Sequence, residues 1–176
     1  MDERERARIR AAIDAAEGGG GVPPASDEQL RSLLAGSRTI AIVGASPKPD
    51  RPSHGVLLAL KAAGWRILPV NPASQALADG VAGLPCYLDL ASAAAALPAG
   101  QRIDLVDVFR RPEDCAAVTR EAIAVGAGGI WLQLGIISPE AAALAAEADL
   151  PFVQDRCTAI EVQRLRISGP SVERTS

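Results

Sequence analysis

Between Thr39 and Gly55 the chain reads T-I-A-I-V-G-A-S-P-K-P-D-R-P-S-H-G. Gly44, Ala45 and Ser46 are small, Ser46 and Ser53 carry hydroxyls, and Lys48 and Arg51 carry positive charge. These are the groups that hold a phosphate. Glycine lets the backbone approach an anion closely. A serine hydroxyl donates a hydrogen bond, and an arginine fork takes two phosphate oxygens at once. The apolar run Ile40-Ala41-Ile42-Val43 ahead of the loop is what a fully buried strand needs. An apolar helical pattern begins after Gly55. Strand, loop and helix together would aim backbone N–H groups and a helix dipole at an anion.

The elements that position this loop follow from local patterning. Residues 2–17 read as a charged helix with Ile9 and Ile13 as its few apolar points, followed by four glycines and Pro23-Pro24 as a linker. The folded domain is expected over 26–167, with 1–25 as arm and linker and 168–176 as a flexible tail. Ser26-Asp27-Glu28-Gln29 is a capping box, and Leu30, Leu33 and Leu34 share one helical face up to Gly36. After the Gly44 loop, Val56, Leu57 and Leu60 continue a helix to Gly64. Strands are expected at Trp65–Val70, Leu84–Leu88, Ile103–Phe109, Gly129–Leu134 and Pro151–Val153. Helices are expected at Asp89–Leu97, from Pro112 to Val125, from Ser138 to about Asp149, and from Thr158 to about Ile167. Strands alternating with helices predict an α/β fold: a Rossmann-like, doubly wound, mostly parallel sheet in three α/β/α layers. Ligands of such sheets bind beyond the carboxyl ends of the strands, where the strand order reverses.

Composition removes several function classes. The 176 residues carry a net charge of −3 and only 3% aromatics, so neither a basic patch nor stacking platforms for nucleic acid are expected. The N-terminus has no apolar stretch for a signal peptide, and no run approaches a membrane span. Three cysteines, Cys86, Cys115 and Cys157, and one histidine, His54, do not make a metal site, and the odd thiol count fits a reducing cytoplasm. His54 has no carboxylate or nucleophile at catalytic spacing. Asp104 and Asp107, three apart in one strand, face opposite sides of the sheet and so are not a catalytic pair. Arg110 and Arg111 either pair with Glu113 and Asp114 or reach a ligand. No catalytic constellation is seen, and the chain is not expected to be an enzyme.

A nicotinamide dinucleotide is the first ligand to test. Its fingerprint needs G-x-G-x-x-G and an acid at the end of the second strand. Here the loop reaches its next glycine only at Gly55, and the second strand ends at Asn71. A phosphate loop of the type G-x-x-x-x-G-K-[ST] is also absent.

V-G-A-S-P-K-P-D-R-P-S, then P-V-N-P, V-D-V-F-R-R, W-L-Q-L-G and D-R-C with Ile160-Glu161 follow in order. Over residues 26–166 this resembles the small stand-alone CoA-binding protein family, itself similar to the N-terminal CoA-binding domain of the succinyl-CoA synthetase alpha subunit and of NDP-forming acyl-CoA synthetases. The resemblance implies a site for coenzyme A or an acyl-CoA. Gly44, Ala45 and Ser46, with Lys48, Arg51 and Ser53, would take the phosphates. Asn71 and Pro72 would lie by the adenosine. Phe109, Arg110, Leu134 and Gly135 would wall the pantetheine arm. Two departures stand out. Ala73 and Ser74 follow Pro72 where the synthetase relatives usually carry a lysine, so Lys48 or Arg51 substitutes for that charge or the 3′-phosphate is weakly discriminated. The synthetases also need a domain with a phosphorylated histidine and a nucleotide-binding grasp module, so synthetase chemistry by this chain alone is not expected. The resemblance thus implies a non-catalytic binding or sensor module. The alternatives are an NAD(P)-binding oxidoreductase, or the CoA-binding subunit of a multi-chain acyl-CoA synthetase; the protein partners to expect are a second copy, in a homo-oligomer, or a synthetase chain. Cys157, beside Arg156 at a helix start, suggests a lowered thiol pKa and mixed-disulfide chemistry with CoA; the simpler reading is a small buried residue.

Overall fold

The computed structural model describes residues 22–170. The expected charged helix over 2–17, the glycines after it and the end of the tail, 171–176, lie outside the described residues. Five strands form one all-parallel sheet: β1 Thr39–Val43, β2 Arg66–Val70, β3 Leu105–Val108, β4 Ile130–Leu132 and β5 Phe152–Val153. Their order is β2-β1-β3-β4-β5. The chain steps outward from β1 to β2, then returns to the other side of β1 to lay down β3. The order therefore reverses between β1 and β3, and a crevice opens there above the carboxyl ends.

Strand alternation sends successive side chains to two different cores. Ile40 and Ile42 of β1 join Leu30 and Leu34 of α1 (Asp27–Ala35), Leu57 and Leu60 of α2 (Pro52–Ala62) and Val162 and Leu165 of α7 (Thr158–Leu165). Ala41 and Val43 face the opposite layer. There they meet Leu90 and Ala93 of α4 (Leu90–Ala95), Val118 and Ala122 of α5 (Pro112–Ala124) and Ala141 and Ala145 of α6 (Pro139–Glu147). All five β1 residues are buried, which is why that strand reads as an unbroken apolar run. The reciprocal bonds of the Ser26–Gln29 capping box are both formed. At the base of the sheet, the Asp104 carboxylate accepts from the N–H groups of Arg38 and Thr39 and fixes where β1 begins. The chain stays docked past α7 as far as Gly169, whose N–H donates to the Ala63 carbonyl at 2.8 Å.

Two expectations are corrected. Leu84–Leu88 is not a strand: it contributes only isolated bridges, Val81 with Leu84 and Tyr87 with Val70. Gly80 and Gly83 at positive φ turn the chain tightly there, and Pro85 has no N–H to extend a ladder. A short helix, α3 (Ser74–Asp79), for which the sequence reading names no element, follows Pro72. The helix after the Gly44 loop begins at Pro52 rather than beyond Gly55, because proline fits the first helical position.

Candidate functional site

Above the carboxyl ends of β1, β3 and β4 lies a cavity of about 610 Å³, within the range of small-molecule sites. Gly44, Ser46, Lys48, Arg51, Ser53 and Val56 line it from the β1 loop and α2, Phe109 from the end of β3, and Gln133, Leu134 and Ile136 from the end of β4. Cys157 and Ile160 close it from the start of α7. A larger cavity, about 840 Å³, opens near Glu28, Arg102, Asp104 and Gly128 at the amino ends of the strands. Sheets of this type do not bind ligands at that end.

The β1 loop is held by its own side chains. Gly44 adopts φ +88°, and a Cβ there would sit 2.7 Å from the Phe109 carbonyl oxygen. Only glycine lets the loops after β1 and β3 come this close. The N–H groups of Gly44 and Ala45 both donate to the Val70 carbonyl. Ser46 N–H donates to the Ser53 hydroxyl at 3.0 Å, and Lys48 N–H to the Ser46 hydroxyl at 3.2 Å. The expected cradle of loop amides is thus largely occupied by the protein itself. Ser53 N–H, in the first turn of α2, has no partner among the described residues. The Ser46 O–H and the exposed Lys48 and Arg51 side chains also remain free to meet an anion. No acidic residue sits in the first turn of α2 to compete with one.

Several expected site residues serve this scaffold. Asn71 donates through Nδ2 to the Ala45 carbonyl at 2.7 Å and accepts from Ala73 N–H, so it clasps the loop from β2. Ala45 is fully buried. Arg110 pairs with Asp114, and Arg111 with Asp114 and Glu113, at the start of α5. Gly135 N–H donates to Asp155. Ala45, Asn71, Pro72, Arg110 and Gly135 stand outside the cavity lining, while the other seven expected residues line it. His54 lies in the first turn of α2, with Nδ1 2.9 Å from the Ser46 carbonyl oxygen.

Pro52 lines the cavity from within the loop motif, and Val56, Gln133 and Ile136 line it from outside that motif. Gln133 belongs to a buried polar cluster. Its Nε2 donates to Asp107 Oδ1 at 2.7 Å and to Thr158 Oγ1 at 2.9 Å, and the Thr158 hydroxyl donates to Asp107 Oδ2 at 2.8 Å. Burial pushes the Asp107 carboxyl up to about 7, against the opposing pull of those two hydrogen bonds. Cys157 is half-buried at the N-cap of α7. Burial raises the other two thiols, Cys115 to about 11, with Asp114 adding to it. Among the described residues, no group of three or more histidine, cysteine or carboxylate side chains is placed to hold a metal ion.

A family model described as a CoA binding domain matches residues 38–163. The Bacillus subtilis protein YneT is 34% identical over 133 residues, 75% of this chain and 90% of that protein. A solved structure from Thermus thermophilus is 35% identical, with a TM-score of 0.70 over 80% of this chain and 99% of that one. The dinucleotide forming acetyl-coenzyme A synthetase 1 of Ca. Korarchaeum cryptofilum shares the fold at 20% identity, with a TM-score of 0.54 over 70% of this chain and 26% of its own.

Proposed function

The chain belongs to the CoA-binding domain family, and from that premise we propose that the crevice binds coenzyme A or an acyl-CoA without transforming it, as a sensor or carrier module. The observation that carries the reading is the polarity of one continuous cavity. Its β1 side offers Ser46, Lys48, Arg51 and the Ser53 N–H for phosphates. Its β4 and α7 side offers Leu134, Ile136 and Ile160, an apolar wall for the pantetheine arm. β3 lies between β1 and β4, so the two sides are roughly 10 Å apart, two inter-strand spacings. CoA has the same layout, charged at the nucleotide and mostly apolar along the arm.

The non-catalytic part of the reading is supported by the lining itself. Among the described residues that line the cavity, none is a carboxylate or a histidine, so Cys157 has no base beside it there. The nicotinamide alternative is disfavoured because Asn71, at the ribose position, spends its amide on Ala45 and Ala73. Three free cysteines fit a reducing cytoplasm. Among the described residues no helix is long and apolar enough to cross a membrane.

Calorimetric titration with CoA, acetyl-CoA, dephospho-CoA and NADH tests the proposal. CoA and acetyl-CoA are expected to bind similarly and NADH not at all. No heat and no thermal shift with millimolar CoA overturns it. Arg51→Ala is expected to weaken CoA about tenfold, the worth of a charge-assisted hydrogen bond to phosphate. The melting temperature should not move, since the exposed Arg51 side chain makes no capping bond. Unchanged affinity in that variant removes Arg51 from the site.

A further inference from the structure

On the apolar side of the crevice, Gln133 is a polar residue that is 4% exposed and still lines the cavity. Both of its side-chain N–H bonds are directed inward, one to Asp107 and one to Thr158. Its Oε1 has no partner among the described residues. Yet no fully buried side-chain nitrogen or oxygen among them lacks a partner. Oε1 therefore keeps some access to open space, and the crevice is an open space that Gln133 lines.

The orientation of this amide is dictated by its neighbours. Both Asp107 oxygens act as acceptors, one from Gln133 and one from the Thr158 hydroxyl. That hydroxyl has already committed its hydrogen to Asp107, so it too can only accept from Gln133. With Asp107 ionised, above about pH 7, reversing the amide would set its oxygen against the carboxylate and the Thr158 oxygen in a buried site, leaving lone pairs facing lone pairs. In that state Gln133 presents an acceptor, with no donor, to whatever lies along Phe109, Leu134 and Ile136.

Resting on the CoA reading above, we propose that Gln133 Oε1 accepts a hydrogen bond from an amide N–H of the ligand's pantetheine arm, with Asp107 and Thr158 as the residues that position it. The arm carries secondary amides along an otherwise apolar chain. Its nucleotide end would be anchored at the β1 loop, so the arm must cross β3 to reach the β4 side, where Gln133 sits. An acceptor held there selects ligands whose arm offers an N–H, and rejects arms of the same length without one.

The test compares CoA with two analogues in which one or the other arm amide is replaced by an ester, with desulfo-CoA, and with the arm-free nucleotide adenosine 3′,5′-bisphosphate. One ester analogue is expected to bind wild-type protein about five- to tenfold more weakly than CoA, the worth of one hydrogen bond and of the acceptor left without it. That loss should vanish in Gln133→Met, while affinity for the arm-free nucleotide is the same in both proteins. In labelled wild-type protein, CoA should shift the side-chain NH2 resonances of Gln133 and the arm-free nucleotide should not, a readout that does not depend on the variant folding. If both esters bind wild-type protein as CoA does, if the ester loss persists in Gln133→Met, or if the Gln133 resonances ignore CoA, the assignment is wrong. If only desulfo-CoA is weakened, the donor is the thiol and the amide assignment falls. Failure of wild-type protein to bind CoA at all would instead overturn the CoA reading itself.

Discussion

Alanine at position 44 is expected to lower stability by about 3 kcal/mol and to weaken CoA binding at least tenfold. Gly44 holds φ +88°, a region L residues rarely adopt. A Cβ there meets the Phe109 carbonyl oxygen at 2.7 Å and the Phe109 Cβ at 3.3 Å. Neither neighbour is a flexible side-chain tip. Phe109 N–H donates to the Val43 carbonyl at 2.8 Å, so its backbone cannot retreat without breaking the β1–β3 ladder. The strain must push the β1 loop outward, off the shared Val70 acceptor and away from the Ser46–Ser53 bond. Stability and binding are therefore lost together, in contrast to Arg51→Ala, which affects binding alone. The expected drop in melting temperature is about 10 °C for a domain of this size. Gly55→Ala is the internal control. Gly55 is helical and exposed, and a Cβ there meets nothing within 4 Å. That change is expected to stabilise by roughly 0.5–1 kcal/mol through helix propensity and a less free unfolded chain. Equal melting temperatures for the two variants would refute the steric account.

Features fixed by local chemistry are legible in the residues. A short unbroken apolar run ended by a glycine fits a strand buried on both faces, and β1 is one. Ser26 and Gln29 announce a helix start three residues apart, and Pro112 and Ser138-Pro139 announce two more. Pro52 carries the same kind of signal, and Gly55 does not break the helix that follows because it sits on an exposed helical face. Features that need distant partners are not legible. Asn71 stands where a ribose contact would be expected, but its amide turns to Ala45, 26 residues away. Gln133 reads as one more strand residue in W-L-Q-L-G. Its meaning depends on Asp107, 26 residues earlier, and Thr158, 25 later, and no spacing rule connects the three. Strand alternation places Asp107 off the face of Asp104, but nothing local marks it as the anchor of that cluster. The phosphate side of the crevice is one contiguous loop and is visible from it. The apolar side is assembled from three chain segments: the resemblance points to Phe109 and Leu134, and Gln133 and Ile136 need the fold.

The Asp107 cluster also sets a pH dependence of stability. The native carboxyl titrates at about 7 because it is fully buried and its partners, Gln133 and Thr158, are neutral. The unfolded carboxyl titrates near its ordinary value, about 3.9. Between those limits the native state holds a proton that the unfolded state has lost. Linkage then requires that this group's contribution to stability decrease as pH rises from about 4 to about 7, and be constant outside that window. The decrease is on the order of a few kcal/mol, since each unit of separation is worth about 1.4 kcal/mol. Above neutrality the protein carries a buried carboxylate with hydrogen bonds but, among the described residues, no paired cation. Asp107→Asn keeps the shape and cannot ionise. Its stability relative to wild type, measured by urea unfolding, is therefore expected to improve by a few kcal/mol between about pH 5 and pH 8. A stability difference that stays constant across that range would mean that Asp107 titrates near its ordinary value in the folded protein. The amide introduced by Asp107→Asn would also offer Gln133 and Thr158 a single acceptor oxygen in place of two. Binding of the arm should then suffer at every pH, even where the fold is strengthened. A variant that gains stability while losing discrimination between CoA and its arm-free nucleotide would separate the two consequences of burying this carboxyl beneath the crevice.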